Sequence, residues 1–199
     1  MDENVIKFIV RSVQAGDYDG YEQLIDHFQN PIYRYCYHLL GHHQEAEDAV
    51  QDIFIKTYQN IAKYQQNGTF SAWLYKIAYY HCLNLIKRRK LVQWLPFLFN
   101  EEQYTSISPH VPLEEGEFND AILCALSKLS IEERNVLILR IVEEKSYEQI
   151  SMILPYKEAS LRKKYERAVQ KFKKYYSSGK GADISEEEFA LFKRTERPL

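Results

Sequence analysis

The stretch Gln44-Glu45-Ala46-Glu47-Asp48-Ala49-Val50-Gln51-Asp52-Ile53-Phe54-Ile55-Lys56-Thr57-Tyr58, continuing to Tyr64, decides the fold. Ala46, Val50, Ile53, Phe54, Thr57, Tyr58 and Ile61 recur at helical spacing, and Glu45, Asp48, Asp52 and Gln59 fall opposite them. That pattern predicts one long amphipathic helix from Gln44 to about Tyr64. Outward from it, apolar residues keep the same period almost everywhere, and no stretch alternates with period two. Val5, Ile6, Ile9 and Val13 form a first stripe that Gly16-Asp17 ends. Tyr21, Leu24, Ile25 and Phe28 form a second. Pro31 is expected to break the chain before a third run, Ile32, Tyr35, Cys36 and Leu39, that Gly41 stops. A polar turn, Gln65-Gln66-Asn67-Gly68-Thr69, leads into a helix from about Phe70 to Arg89. The expected fold is all-α.

Residues 93–119 contain Pro96, Pro109 and Pro112 and no sustained period, so they read as a linker. Beyond it, Ser130-Ile131-Glu132-Glu133 and Ser146-Tyr147-Glu148-Gln149 both have the form of a capping box. Pro155-Tyr156-Lys157 then breaks the chain before a basic helix from Glu158 to Tyr176. Short helix, tight turn and basic helix outline a helix-turn-helix. The expected organisation is two helical domains, 1–92 and 120–177, joined by a flexible acidic linker and followed by a tail, 178–199. That tail holds a third capping-box match, Ser185 to Glu188, with Phe189 and Phe192 behind it.

The 199 residues carry a net charge of −2, which conceals three blocks. Residues 61–95 hold Lys63, Lys76, Lys87, Arg88, Arg89 and Lys90 and no acid. Residues 96–121 hold six acids and no base, and residues 156–176 hold eight bases against two acids. Each block alone fits a solvated helix face. Two basic blocks, one rich in aromatics and one on a recognition helix, fit a polyanionic partner. In the first, Trp73 and Ile77 read as core. Tyr79 and Tyr80 are adjacent and cannot both be buried. Exposed tyrosines beside Lys76, Lys87 and Arg88 suit unpaired bases, which stack while phosphates meet cations. Gly68 frees the turn backbone, and the Asn67 amide can read a base edge.

Other chemistries find little support. Cys36, Cys82 and Cys124 are far apart and odd in number, which fits a reducing compartment rather than a disulfide scaffold. His38 and His42 stand four apart but have no third ligand, so no metal is expected. There is no P-loop, dinucleotide fingerprint or nucleophile elbow, and no enzyme is expected. The acidic start lacks the form of a secretory signal, and no apolar window approaches bilayer length. A cytoplasmic chain with no membrane insertion of its own is expected.

Three motifs in order resemble the extracytoplasmic-function sigma factors of the sigma-70 family. Glu45 to Lys56 is similar to that family's core-polymerase docking helix. Thr69 to Ala78, continuing through Asn84 to Arg89, resembles its promoter-melting helix. Leu129 to Leu137 with Ser146 to Ile150 resembles the start of its second DNA-binding domain. The resemblance implies a factor that binds bacterial core RNA polymerase and initiates transcription of a stress- or envelope-related regulon. It implies polymerase contacts at Asp48, Gln51, Asp52 and Ile55. Gln65, Asn67, Gly68, Thr69, Lys76, Tyr80, Asn84, Lys87 and Arg88 would hold the melted minus-ten strand. Ser160, Arg162, Lys163 and Arg167 would read the minus-thirty-five duplex. The further partners it implies are promoter DNA and an anti-sigma factor, with no cofactor. The chain departs from the family at Pro155 and at Ala159-Ser160, where the family has Gly and Gly-Thr. Two alternatives remain open from the residues: a helix-turn-helix operator-binding regulator, and a helical adaptor for acidic proteins.

Overall fold

Each helix begins where the sequence supplies an acceptor for its free amides. In this computed structural model, which describes residues 1–65, 68–94 and 117–180, Asp2 accepts from the Glu3 amide at 2.8 Å and opens α1, Glu3–Gln14. Asp17 accepts from the Gly20 amide at 3.2 Å and opens α2, Tyr18–Leu40. Gly41 ends α2 in the left-handed conformation (φ 78°), its amide donating to the Tyr37 carbonyl at 2.8 Å. Helix α3 spans His43–Asn60 and tightens into a single 3-10 turn, Ile61–Lys63, before α4, Phe70–Trp94. The second group comprises α5, Glu117–Ser127; α6, Ile131–Ile141; α7, Tyr147–Ile153; and α8, Glu158–Lys180. Both capping boxes form, at Ser130 with Glu133 and at Ser146 with Gln149. The third, at Ser185, lies outside the described residues. The described residues are helix and turn throughout, an all-α protein in two helical units, as expected.

Two expectations need correction. Pro31 does not break the chain: α2 runs through it without interruption. A mid-helix proline costs about 3 kcal/mol. Here Leu24 and Phe28 before it, and Ile32, Tyr35, Cys36 and Leu39 after it, are all buried in one core. Burying so many large side chains, at about 1.5–3 kcal/mol each, exceeds that cost. Tyr58 is not on the buried face of α3 but is 41% exposed. Cys36 and Cys82 meet in that core with Sγ atoms 3.6 Å apart and remain free thiols, and burial pushes the Cys36 thiol up.

The two units pack directly on one another, α6 against α2 and α7 against α4. The seam is polar. Arg134 donates to the carbonyl of Leu39 at 2.7 Å and to that of Leu126 at 2.9 Å, so one guanidinium ties α6 to the end of α2. Burial lowers its pKa to about 10. Tyr35 donates to the Asn135 carboxamide oxygen. Glu143 accepts from the Tyr75 hydroxyl and lies 3.6 Å from Arg34. Lys145 donates to Ser71 at 3.2 Å and sits 4.7 Å above the Tyr75 ring.

His38 supplies a pH test of the first unit. Its ring is buried, and burial, reinforced by Arg34, lowers its pKa to about 3. The native state therefore holds it neutral while the unfolded chain protonates it below about 6.5. Between those values the unfolded state binds more protons, so stability falls as pH falls. Chemical denaturation of the full chain between pH 7 and pH 4 should show a loss of a few kcal/mol. The variant His38→Gln should flatten that dependence.

Candidate nucleic-acid and polymerase interfaces

The outer face of α3 presents Asp48, Gln51, Asp52 and Ile55 together, all exposed. Ile55 is 55% exposed on a helix whose other face is core, an apolar residue set among acids. Asp52 is partly held from behind. Lys56 Nζ lies 2.5 Å from His81 Nδ1, and His81 Nε2 faces the Asp52 carboxylate at 3.8 Å. A lysine donating to Nδ1 leaves the proton on Nε2, directed at Asp52. At the other end of the helix Glu45 pairs with Arg89, whose second arm reaches the Leu40 carbonyl at 3.1 Å. Arg89 therefore ties α4 to the start of α3, a structural use that its place in a basic block did not reveal.

On α4 the residues Lys76, Tyr80, Asn84, Lys87 and Arg88 all lie exposed, at spacings that place them on one face. Tyr79 turns inward at 5% exposure while Tyr80 stays 44% exposed, their rings 5.0 Å apart. Trp73 and Ile77 are half-buried against the core. The turn before α4 is built rather than loose. Thr69 Oγ1 accepts from the Ala72 amide at 3.1 Å and caps the helix. Tyr64 donates to the Gly68 carbonyl at 3.0 Å. Gly68 has φ 135°, a conformation that a β-carbon opposes. Gln65 lies exposed at the start of the turn, while Asn67 lies outside the described residues.

In the second unit α7 and α8 meet through the turn Leu154–Lys157, with Pro155 exposed and Leu161 buried beneath. Ser160, Arg162, Lys163 and Arg167 are exposed on the first turns of α8, which starts at Glu158 despite the absence of a Gly-Thr pair. Two of the cations on α8 rest on rings: Arg162 lies 5.2 Å from the Tyr147 centroid and Lys164 lies 4.4 Å from that of Tyr156. Neither ring was legible as part of a site from spacing alone.

Met152 of α7 stands beside the turn, its sulfur 3.8 Å from where a β-carbon on Gly68 would lie. The helix-turn-helix is therefore seated against the Gly68 end of the α4 surface. The loop that seats it contains Glu144, whose φ of 50° makes it the one non-glycine residue at positive φ among those described. With its carboxyl aimed into the seam, Glu143 is buried, and burial pushes its pKa up against the pull of Tyr75, Arg34 and Lys145. Among the described residues no cluster of three or more His, Cys, Asp or Glu could hold a metal ion, and no helix is long and apolar enough to cross a membrane.

An all-helical chain with an acidic apolar-tipped helix, a cation-aromatic helix and a helix-turn-helix has the parts of a transcription factor that engages protein and DNA together. Comparison with known proteins identifies the class. The family models described as Sigma-70 region 2 and Sigma-70, region 4 match residues 24–92 and 119–172. The ECF RNA polymerase sigma factor SigW of Bacillus subtilis (strain 168) is 30% identical over 161 residues, 76% of this chain and 86% of SigW. RNA polymerase sigma factor YlaC of the same organism is 29% identical over 158 residues, 78% of this chain and 91% of YlaC. The chain belongs to the ECF RNA polymerase sigma factors of the sigma-70 family. Its fold is also that of CnrH, solved in complex with the cytosolic domain of CnrY, at TM-score 0.68 and 14% identity over 87% of this chain and 98% of that one. RpoE of Bartonella quintana, solved with the anti-sigma factor NepR, matches at TM-score 0.60 and 22% identity, covering 78% and 95%.

The seam between the units is open to a direct test. Reversing the charge at Glu143 places a cation beside Arg34 and Lys145. Glu143→Lys should separate the units while each keeps its helices. Small-angle scattering should read a radius of gyration rising above the roughly 16 Å expected of a compact chain this size, with unchanged helical circular dichroism. A separate check concerns the turn: Gly68→Ala should lower the stability of the first unit by about 1 kcal/mol, measured by urea denaturation.

Proposed function

We propose that this chain is an alternative sigma factor that carries core RNA polymerase to a defined set of promoters, helps melt the minus-ten element and initiates transcription. The observation that carries the reading is the ordered presence of both sigma-70 regions on surfaces of opposite character: an acidic face on α3 and cationic faces on α4 and α8. Two working modules, 1–92 and 120–177, divide the labour.

In this reading Asp48, Gln51, Asp52 and Ile55 dock on a basic helical surface of the polymerase. Charge steers the encounter and Ile55 supplies the desolvated anchor. Gln65, Asn67, Gly68 and Thr69 form the turn that receives an extruded base, and Tyr80 offers a stacking plane beside Lys76, Asn84, Lys87 and Arg88. Extruding a base costs a few kcal/mol, so a turn already held open by Tyr64 and capped by Thr69 selects DNA that has melted. Ser160, Arg162, Lys163 and Arg167 face duplex at the minus-thirty-five element, where the first turns of a recognition helix meet base edges and phosphates. The chain contributes binding energy, and phosphodiester chemistry belongs to the polymerase. The factor works in the cytoplasm, where polymerase and promoter are. An anti-sigma partner fits the same frame, as the RpoE of Bartonella quintana was solved bound to one.

Run-off transcription with bacterial core polymerase and a pool of promoter fragments tests the whole. Transcripts from a defined subset should appear only when this chain is added. Asp52→Arg should abolish capture of core polymerase in a pull-down. Arg162→Ala should leave that capture intact and weaken binding to promoters that depend on the upstream element by about 1–3 kcal/mol. No transcript from any fragment and no capture of core would return the chain to the operator-binding class.

A further inference from the structure

Tyr147 opens α7, and its ring collects two guanidiniums, Arg140 from α6 and Arg162 from α8, each 5.2 Å from the ring centroid. Neither arginine pairs with a carboxylate among the described residues, although α8 and the loops beside it carry Glu144, Glu148 and Glu158. Two like charges drawn to one ring repel one another, and an acid between them would relieve the repulsion at the cost of neutralising both. An aromatic face holds a cation without cancelling its charge. A guanidinium held this way keeps its donors for a phosphate or a base edge while its planar group is fixed in direction. The ring itself is fixed. Ser146 caps α7 just before it, Tyr165 meets it edge-on at 6.1 Å, and Arg140 is anchored by a 3.0 Å bond to the Lys145 carbonyl.

We propose that Tyr147 is a positioning residue for promoter recognition: its ring holds the Arg162 side chain extended along α8, ready for the duplex, so that less rotamer freedom is lost on binding. The inference rests on the reading that Arg162 meets promoter DNA and adds to it a residue that need not touch DNA to set affinity. Arginine gives up about as much side-chain entropy as any residue when it is immobilised, so fixing it beforehand is where such a ring gains.

Two measurements test this. In the free full-length chain, the Arg162 Nε–H proton should carry a ring-current shift in the wild type and in Tyr147→Phe, and lose it in Tyr147→Leu. In run-off transcription at limiting holoenzyme, Tyr147→Leu should lose about fivefold on promoters that respond to Arg162→Ala. Tyr147→Phe should stay within about twofold of wild type. In an Arg162→Ala background the Tyr147→Leu loss should vanish, because there is no longer a side chain to position. A fivefold loss that persists in that background assigns Tyr147 to folding alone and overturns the proposal. So does a Tyr147→Leu variant with undiminished output, or an Arg162 proton with no ring-current shift in the wild type. Should Tyr147→Leu lose its cooperative thermal transition, Tyr147→Met fills the same space without a π face and carries the same comparison. If Arg162→Ala itself changes nothing while wild type initiates normally, the assignment of Arg162 to DNA fails first. If the wild type is silent on every fragment, the sigma reading fails with it.

Discussion

The carboxylate of Glu143 is the group on which the arrangement of the molecule depends. A buried carboxylate is costly unless hydrogen bonds and opposite charges compensate it. Its own unit supplies Lys145, and the other unit supplies the Tyr75 hydroxyl and the Arg34 guanidinium. The loop that carries it holds Glu144 in a left-handed conformation, so Glu143 and Lys145 both reach the first unit from consecutive turns of the chain. Glu143 is thus stable in its burial only while the units touch. The first unit is equally engaged, since the Tyr75 hydroxyl is satisfied from across the seam.

A seam of this kind behaves differently from an apolar one. Apolar interfaces separate at a cost proportional to area, about 25 cal/mol per Å². A polar seam exposes groups that water solvates well, so separation recovers much of what closure gained. That matters for a promoter-reading factor. Promoter elements centred near minus ten and minus thirty-five lie about 25 base pairs apart, roughly 85 Å of duplex at 3.4 Å per step. Two units joined by a side-chain hydrogen bond cannot span that distance, so reading both elements at once requires the Glu143 seam to part. Arg134, with one arm on Leu39 and another on Leu126, would keep its bond within the second unit when that happens.

Much of this was legible in the sequence and the remainder was not, for physical reasons. Capping boxes at Ser130 and Ser146, the stripe on α3, and the opposed directions of Tyr79 and Tyr80 are local properties that spacing reports directly. Gly68 was legible because only glycine adopts its φ freely. Pro31 was misread because a local breaker signal was outweighed by the core residues on either side of it, a tertiary effect. The seam was invisible because residues 34, 75 and 143 meet from distant parts of the chain and leave no periodic trace. Arg89 hid in a basic run, although its charge is consumed by Glu45. The ring of Tyr147 hid in a capping motif that explained its neighbours but not itself.

The two cationic surfaces differ in a way that suits what each would meet. On α8, Arg162 and Lys164 are backed by aromatic rings, so their heads have fixed directions. Duplex DNA is stiff, and a side chain that must meet one base edge gains from being placed beforehand. On α4 the exposed ring of Tyr80 stands among Lys76, Asn84, Lys87 and Arg88 as a surface rather than a set of aimed donors. An unpaired strand can bend to such a surface, because every base has a face that stacks and every phosphate a charge that any nearby cation can meet. Rigid cations on α8 and a stacking plane on α4 therefore divide the work by the stiffness of the DNA each receives, and that division follows from which cations have a ring behind them.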